Sequence, residues 1–207
     1  MPLFYQHNIN QDTKLGVWHI EEPESFFLER VPLKRDVSHP HKRLQHLAGR
    51  YLLPALFPDF PLAEIVIADT RKPFLENEKY HFSISHCGSY AAAIVSSKNR
   101  VGVDIEIISP RVGSIREKFL SPAELTNAVP PGGQLLTMLW SAKESIYKWY
   151  GAGSVDFRKH IQWKGAVTKE NGLMIFPFVF SKTKVIPLVV KAVSFGDVVL
   201  AWVVSER

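Results

Sequence analysis

At 207 residues, 46% hydrophobic and 22% charged, the chain has the make-up of one large globular domain or two small lobes, with nothing resembling a disordered tail. A single cysteine, Cys87, excludes an internal disulfide and suits a reducing cytoplasm. No apolar run approaches the roughly 18 to 20 residues that span a bilayer, residues 1–6 lack a signal-peptide layout, and a net charge of +5 favours an anionic partner.

The basic excess is concentrated early. Residues 34–50 hold five Lys or Arg and three histidines against Asp36 alone. Pro40 in a first turn predicts a helix over 40–53 that stops before Pro54. Leu44, Leu47, Ala48, Tyr51 and Leu52 would form its buried stripe, with Arg43, His46 and Arg50 along one edge. That edge reads either as a contact for phosphate or an acidic protein, or as a solvated face. Residues 62–68 read as a short strand, followed by a basic turn, Asp69-Thr70-Arg71-Lys72-Pro73.

Tyr80, Phe82 and Ile84 alternate with polar residues, predicting a strand that enters a Ser85-His86-Cys87-Gly88 turn. A strand over 91–97 is expected to pair with one over 101–108 through the Lys98-Asn99-Arg100 turn. Ser85, His86 and Cys87 are not read as a nucleophile and its base, because such groups are assembled across a fold rather than along a sequence. The chain has no G-x-S-x-G elbow, H-E-x-x-H helix or phosphate-binding G-x-x-x-x-G-K loop.

In the next strand Val101, Val103, Ile105 and Ile107 alternate with Gly102, Asp104, Glu106 and Ile108, the period of a strand with one buried face. Asp104 and Glu106 then share a side, their Cα atoms about 6.6 Å apart. They are either a solvated polar face or two carboxylates that reach one cation. A Pro130-Pro131-Gly132-Gly133 loop leads into a helix whose stripe is Leu135, Leu139, Ala142, Ile146 and Trp149, with Gly151 as its terminator. Trp140, Glu144 and Lys148 line one ridge at four-residue spacing. Glu144 and Lys148 suit an ordinary exposed ion pair, but a tryptophan on the same ridge is an odd choice for a purely solvated face. Beyond Val155, strands over 172–180, 184–193 and 197–204 read as a meander that completes a sheet.

Taken in order, the K-P turn at Lys72-Pro73, the I-S-H-x-G turn at 84–88, G-V-D-I-E at 102–106 and W-S-x-K-E-x-x-x-K at 140–148 resemble the 4′-phosphopantetheinyl transferases of the long, Sfp-like class. The resemblance covers about residues 43–153. It implies an α+β fold of two similar lobes forming a pseudo-dimer, lobes 1–98 and 99–207 with the active site between them, acting as a cytoplasmic monomer. It also implies an enzyme that moves phosphopantetheine from coenzyme A to a serine of an apo acyl or peptidyl carrier protein, serving fatty-acid, polyketide or nonribosomal-peptide synthesis. By the same resemblance Asp104, Glu106 and Glu144 hold Mg²⁺, and Glu144 or a metal-linked water takes the serine proton. Lys148 steadies the departing phosphate, with Lys143 as a helper. Lys72, Ser85 and His86 contact coenzyme A phosphates, and Arg43, or Gln45 in another register, meets the 3′-phosphate. The same three carboxylates would also suit a metal-dependent phosphohydrolase acting on a nucleotide-like phosphoester. No nucleic-acid motif occurs, and the aromatics do not interleave with the basic residues.

Overall fold

The computed structural model of the protein describes residues 3–32, 37–127 and 133–206. The predicted loop residues Pro130, Pro131 and Gly132, and the charged trio Lys34, Arg35 and Asp36, lie outside the described residues. The chain divides into two compact units, Met1–Val101 with Glu206–Arg207, and Gly102–Ser205. Among the described residues no helix is long and apolar enough to cross a membrane.

The first unit runs β1 (Leu3–Asn10), β2 (Thr13–His19), α1 (Glu24–Leu28), α2 (Pro40–Leu56), a 3-10 turn at Leu62–Glu64, β3 (Val66–Ile67), β4 (Pro73–Phe74), β5 (His81–Cys87) and β6 (Tyr90–Ser96). Its main sheet is antiparallel in the order β1-β2-β6-β5, while β3 and β4 form a separate two-stranded ribbon. The apolar stripe of α2, including Leu47, Ala48, Leu52 and Leu53, packs in one core with Trp18, Phe82, Ala91, Ala93 and Val95 of the sheet. Helix and sheet meet closely at Gly49, where a Cβ atom would sit 2.6 Å from Ile84 Cγ2.

Four expectations are corrected here. Helix α2 continues through Pro54 to Leu56, since a proline in the last turn removes one hydrogen bond while Leu53 and Leu56 are buried and the Phe57 amide still reaches the Leu53 carbonyl. The predicted strand over 62–68 shrinks to Val66–Ile67, because Leu62 and Ile65 turn to the apolar side at the three-residue spacing of a 3-10 turn. The tight turn falls two residues later than predicted, at Cys87-Gly88-Ser89-Tyr90: Ser85, His86 and Cys87 are paired with Ala92, Ala91 and Tyr90, and Gly88 takes the positive φ of 48°. Finally, β6 does not pair with the strand that follows it. It is flanked by β2 and β5 instead.

That following strand, β7 (Arg100–Ile107), leads into the second unit. After it come α3 (Pro110–Ser114), α4 (Arg116–Phe119), α5 (Pro122–Asn127), α6 (Gly133–Tyr150), β8 (Ile161–Trp163), β9 (Thr168–Glu170), β10 (Leu173–Phe180), β11 (Ile186–Phe195) and β12 (Val198–Ser205). The sheet order is β7-β12-β11-β10-β8, with β9 also on β10. The predicted meander is present as β10, β11 and β12, paired antiparallel in sequence. Leu139, Ala142, Ile146 and Trp149 of α6 share a core with Phe176, Phe178, Phe180, Val190 and Val203. Gly151 ends α6 with φ of 73°, its amide on the Tyr147 carbonyl, as the sequence predicts.

Strand β7 is buried on both faces rather than one, with Val101 through Ile105 all buried. The reason is Gly102. A Cβ atom there would lie 2.0 Å from the Ser145 carbonyl oxygen and 2.8 Å from the Trp149 amide nitrogen, so α6 lies directly on the side that also carries Asp104. Gly102→Ala must push two backbones apart and is expected to destabilise the protein by about 3 kcal/mol. A denaturant midpoint lowered with an unchanged m-value is the expected result; an unchanged midpoint would contradict this packing.

Candidate active site

Strand and helix are in step at this contact. Two residues of strand advance about 6.6 Å and four residues of helix about 6 Å, so β7 positions at spacing two meet α6 positions at spacing four. Gly102 faces Ser145 and Trp149, Asp104 meets Ser141 and Lys148, and Glu106 meets Trp140. The Ser141 hydroxyl donates to Asp104 Oδ2 at 2.7 Å and the Lys148 ammonium to Oδ1 at 2.7 Å. Glu106 accepts from the Ile107 amide at 3.2 Å.

The three carboxylates share one field. Burial, then the charge of Asp104, raises Glu144 to about 7, with Glu106 adding to the rise and Lys148 opposing it. Glu106 is raised by burial and by Asp104, against the Ile107 amide, Trp140 and Arg111. Repulsion of this kind is what a cation relieves. Among the described residues no group of three or more His, Cys, Asp or Glu forms a ready-made metal cage. Mg²⁺ does not require one, because it is usually held by one or two carboxylates, waters and substrate phosphate. Asp104, Glu106 and Glu144 offer hard oxygen donors, the type that such an ion takes.

Lys143 takes no part in this centre. Its side chain is fully buried and bonds both oxygens of Glu124, at 2.8 and 2.9 Å, along with the carbonyls of Phe119, Phe157 and Ile161. The helper role on phosphate is therefore withdrawn: the ammonium is enclosed on the core side of α6. A lysine four residues after Leu139 and three before Ile146 sits within the apolar stripe, a signal for a buried acidic partner. Ser141, which holds Asp104, is a site residue the motif reading passed over.

The first unit has its own concave site, a cavity of about 300 Å³. Ile65, Ile67, Pro73 and Ile84 give it apolar walls; His46, Arg50, Arg71 and His86 supply the polar lining. Arg50 Nε donates to His46 Nε2 at 2.9 Å, leaving the rest of its guanidinium fork for other acceptors. Lys72 stands between the lining residues Arg71 and Pro73, and burial together with the Arg100 charge lowers it to about 8. Apolar walls with a few convergent cations suit a flat anionic ligand such as a nucleotide.

The predicted basic edge is thus divided. His46 and Arg50 line the cavity, whereas Arg43 is bound to Glu24 at 2.8 Å and to the Val37 carbonyl at 3.1 Å. Gln45, the other register, is buried and donates to the Gly88 carbonyl at 2.8 Å. Ser85 and His86 are successive strand residues and project to opposite faces, so His86 lines the cavity while Ser85 is buried. Arg71, with φ of 65°, is a cavity residue that the sequence marked only as part of a basic turn.

A family model described as the 4′-phosphopantetheinyl transferase superfamily matches residues 100–197. The chain is 32% identical over 143 residues to "4′-phosphopantetheinyl transferase AcpT" of Escherichia coli O157:H7, spanning 62% of this chain and 71% of that protein. It is 34% identical over 120 residues to the AcpT protein of Salmonella typhi, covering 55% and 62%. To "enterobactin synthase component D" of Salmonella austin it is 35% identical over 111 residues, covering 52% and 47%.

Proposed function

Because the chain belongs to the 4′-phosphopantetheinyl transferase superfamily, we propose that it transfers the 4′-phosphopantetheine of coenzyme A to a serine hydroxyl of an apo acyl or peptidyl carrier protein, with Mg²⁺. The observation that carries this reading is the convergence of Asp104, Glu106 and Glu144 in one field, with Lys148 bonded to Asp104. In the reaction the serine oxygen bonds to phosphorus, the pyrophosphate P–O bond breaks, and adenosine 3′,5′-bisphosphate departs. Mg²⁺, held by the three carboxylates, would neutralise charge on the pyrophosphate. Glu144, with a proton affinity near neutrality, is suited to receive the serine proton. Asp104 orients Lys148, whose ammonium balances charge on the departing phosphate.

We assign coenzyme A binding to the cavity of the first unit, through His86 and Lys72, joined by His46 and Arg50. Arg43 and Ser85 are weaker choices for phosphate contact, since Glu24 holds the first and the second faces the buried side of β5. Arg50→Ala is expected to raise KM for coenzyme A by about tenfold or more, the loss of a charge-assisted hydrogen bond, with kcat within twofold. An unchanged KM would remove the cavity from the nucleotide assignment. The reading also carries the two-lobed, monomeric organisation of the long class, with lobes 1–98 and 99–207; a dimer on size-exclusion chromatography would count against it.

The direct test mixes the protein with coenzyme A, Mg²⁺ and a panel of apo carriers, including acyl and nonribosomal-peptide carriers, and follows their masses. One or more carriers should gain phosphopantetheine. No modification of any carrier by folded protein would overturn the proposal, and phosphate release from nucleotides without an acceptor would favour the phosphohydrolase.

A further inference from the structure

Thr137, Ser141 and Ser145 of α6 are fully buried. Two of these hydroxyls turn back on their own helix, a common habit of buried serine and threonine. Thr137 donates to the Gly133 carbonyl at 2.8 Å and Ser145 to the Ala142 carbonyl at 2.7 Å. Ser141 instead donates across to β7, to Asp104 Oδ2 at 2.7 Å. The difference lies in what stands opposite each serine. Gly102 has no side chain to offer Ser145, whereas the next position on that face of β7 carries a carboxylate.

Ser141 and Lys148 lie on one face of α6, two helical turns and about 10.5 Å apart along the axis. A short donor at the first position and a long one at the second can meet at one carboxylate, because a helical side chain leans back toward the N-terminus of its helix. Lys148 does so, with its ammonium 2.7 Å from Asp104 Oδ1. Asp104 is thus held at one oxygen by a hydroxyl and at the other by a cation, in surroundings that leave it 5% exposed. We propose that Ser141 is a positioning residue for Asp104: by taking Oδ2 it keeps the ammonium of Lys148 on Oδ1 and fixes the direction in which the carboxylate faces. Without the hydroxyl, Oδ2 loses its donor in a buried place. The ammonium is then the strongest donor at hand, and the carboxylate turns to take it with both oxygens. That withdraws Asp104 from a cation and Lys148 from a phosphate. The proposal rests on the reading of those two as active-site groups; Ser141 itself touches neither metal nor substrate.

The test uses the full-length protein carrying Ser141→Ala, Asp104→Ala or both. In EDTA, Ser141→Ala should lower the urea midpoint by about 0.5 to 1 M, the effect of leaving a buried charged acceptor without its donor. In the Asp104→Ala background the same change should have almost no effect, so the double variant unfolds no earlier than Ser141→Ala alone. Positioning is read separately from stability. With coenzyme A present and no carrier, Mn²⁺ binding followed by water proton relaxation should weaken about tenfold or more in Ser141→Ala. In the transfer assay kcat should fall by a similar factor, the scale on which groups that orient a metal ligand act. Midpoint losses that simply add overturn the proposal, because Ser141 then does not act through Asp104. Coupled midpoints with Mn²⁺ binding and kcat both unchanged overturn it as well, and make Ser141 a packing residue. Should Ser141→Ala fail to fold, Ser141→Cys offers only a weak donor and is read in the same way. If wild-type protein binds no Mn²⁺ and modifies no carrier, the proposed function fails, and the midpoints in EDTA still decide whether Ser141 fixes Asp104.

Discussion

Asp104→Ala is expected to reduce carrier modification by about 10²- to 10³-fold or more, the scale on which loss of one preorganised electrostatic group acts. Three effects coincide at this side chain. A proposed Mg²⁺ ligand is lost, Lys148 loses the acceptor that orients it, and Glu144 loses the largest of the charges that raise its proton affinity. The fold should survive. The Lys148 side chain is 26% exposed and can turn to water or Glu144, while the Ser141 hydroxyl can bond back to a helix carbonyl. Thermal unfolding should therefore place the variant within about 1 kcal/mol of wild type, as for partly solvated pairs. Retained transfer in Mg²⁺ would sink the metal assignment. A large loss of stability with little loss of kcat would make Asp104 a structural anchor for α6 instead.

Where the sequence was readable, local rules and tertiary packing agreed. The 3.6-residue stripe of α6 and the glycine after it survive in the structure, because the same residues that favour a helix also fill the core against Phe176, Phe178 and Phe180. The β6–β7 pairing was misjudged for the opposite reason. Lys98-Asn99-Arg100 is good local turn chemistry, yet the neighbour of β7 is β12, almost the whole of the second unit away. Strands β1 and β2 left no comparable signal, since β1 alternates half-buried with exposed residues and places polar side chains at several of its positions.

The acidic pair was legible as chemistry but not as geometry. The D-x-E spacing puts two carboxylates on one side of a strand whether that side meets water or a helix, and the deciding residue is Gly102, whose missing Cβ admits α6. The basic edge of α2 poses the same problem. Spacing places Arg43, His46 and Arg50 together, but only Glu24, distant in sequence, separates the first from the two that reach the cavity. Lys143 and Glu144 are chain neighbours with opposite roles, because a helix turns successive side chains about 100° apart. One is enclosed in the core and the other joins the acidic centre.

Glu144→Gln is expected to stabilise the metal-free protein at pH 8 while removing transfer. The carboxyl group is raised from 4.5 to about 7, first by burial and then by Asp104. Below pH 4.5 it is protonated in both folded and unfolded chains and has no differential effect. Between 4.5 and 7 the unfolded chain releases the proton while the folded chain keeps it, so this group's contribution to stability falls as pH rises. Above 7 the full penalty persists. A shift of that size is worth at most about 3 kcal/mol, and solvent reaching a partly exposed side chain reduces it to about 1 to 2 kcal/mol. The amide does not titrate and avoids the penalty. In EDTA, denaturant unfolding should show the variant more stable than wild type at pH 8, with the difference shrinking towards pH 5. Mg²⁺ should then reverse the order: it binds the folded wild type more tightly at pH 8 than at pH 5.5, and the variant gains less from it. Stability and activity would move in opposite directions at one side chain, as expected where a charge is kept in an unfavourable field for its chemistry. If the variant is instead less stable than wild type at pH 8 without metal, Glu144 is a satisfied carboxylate, and neither its role as proton acceptor nor its place among the metal ligands stands.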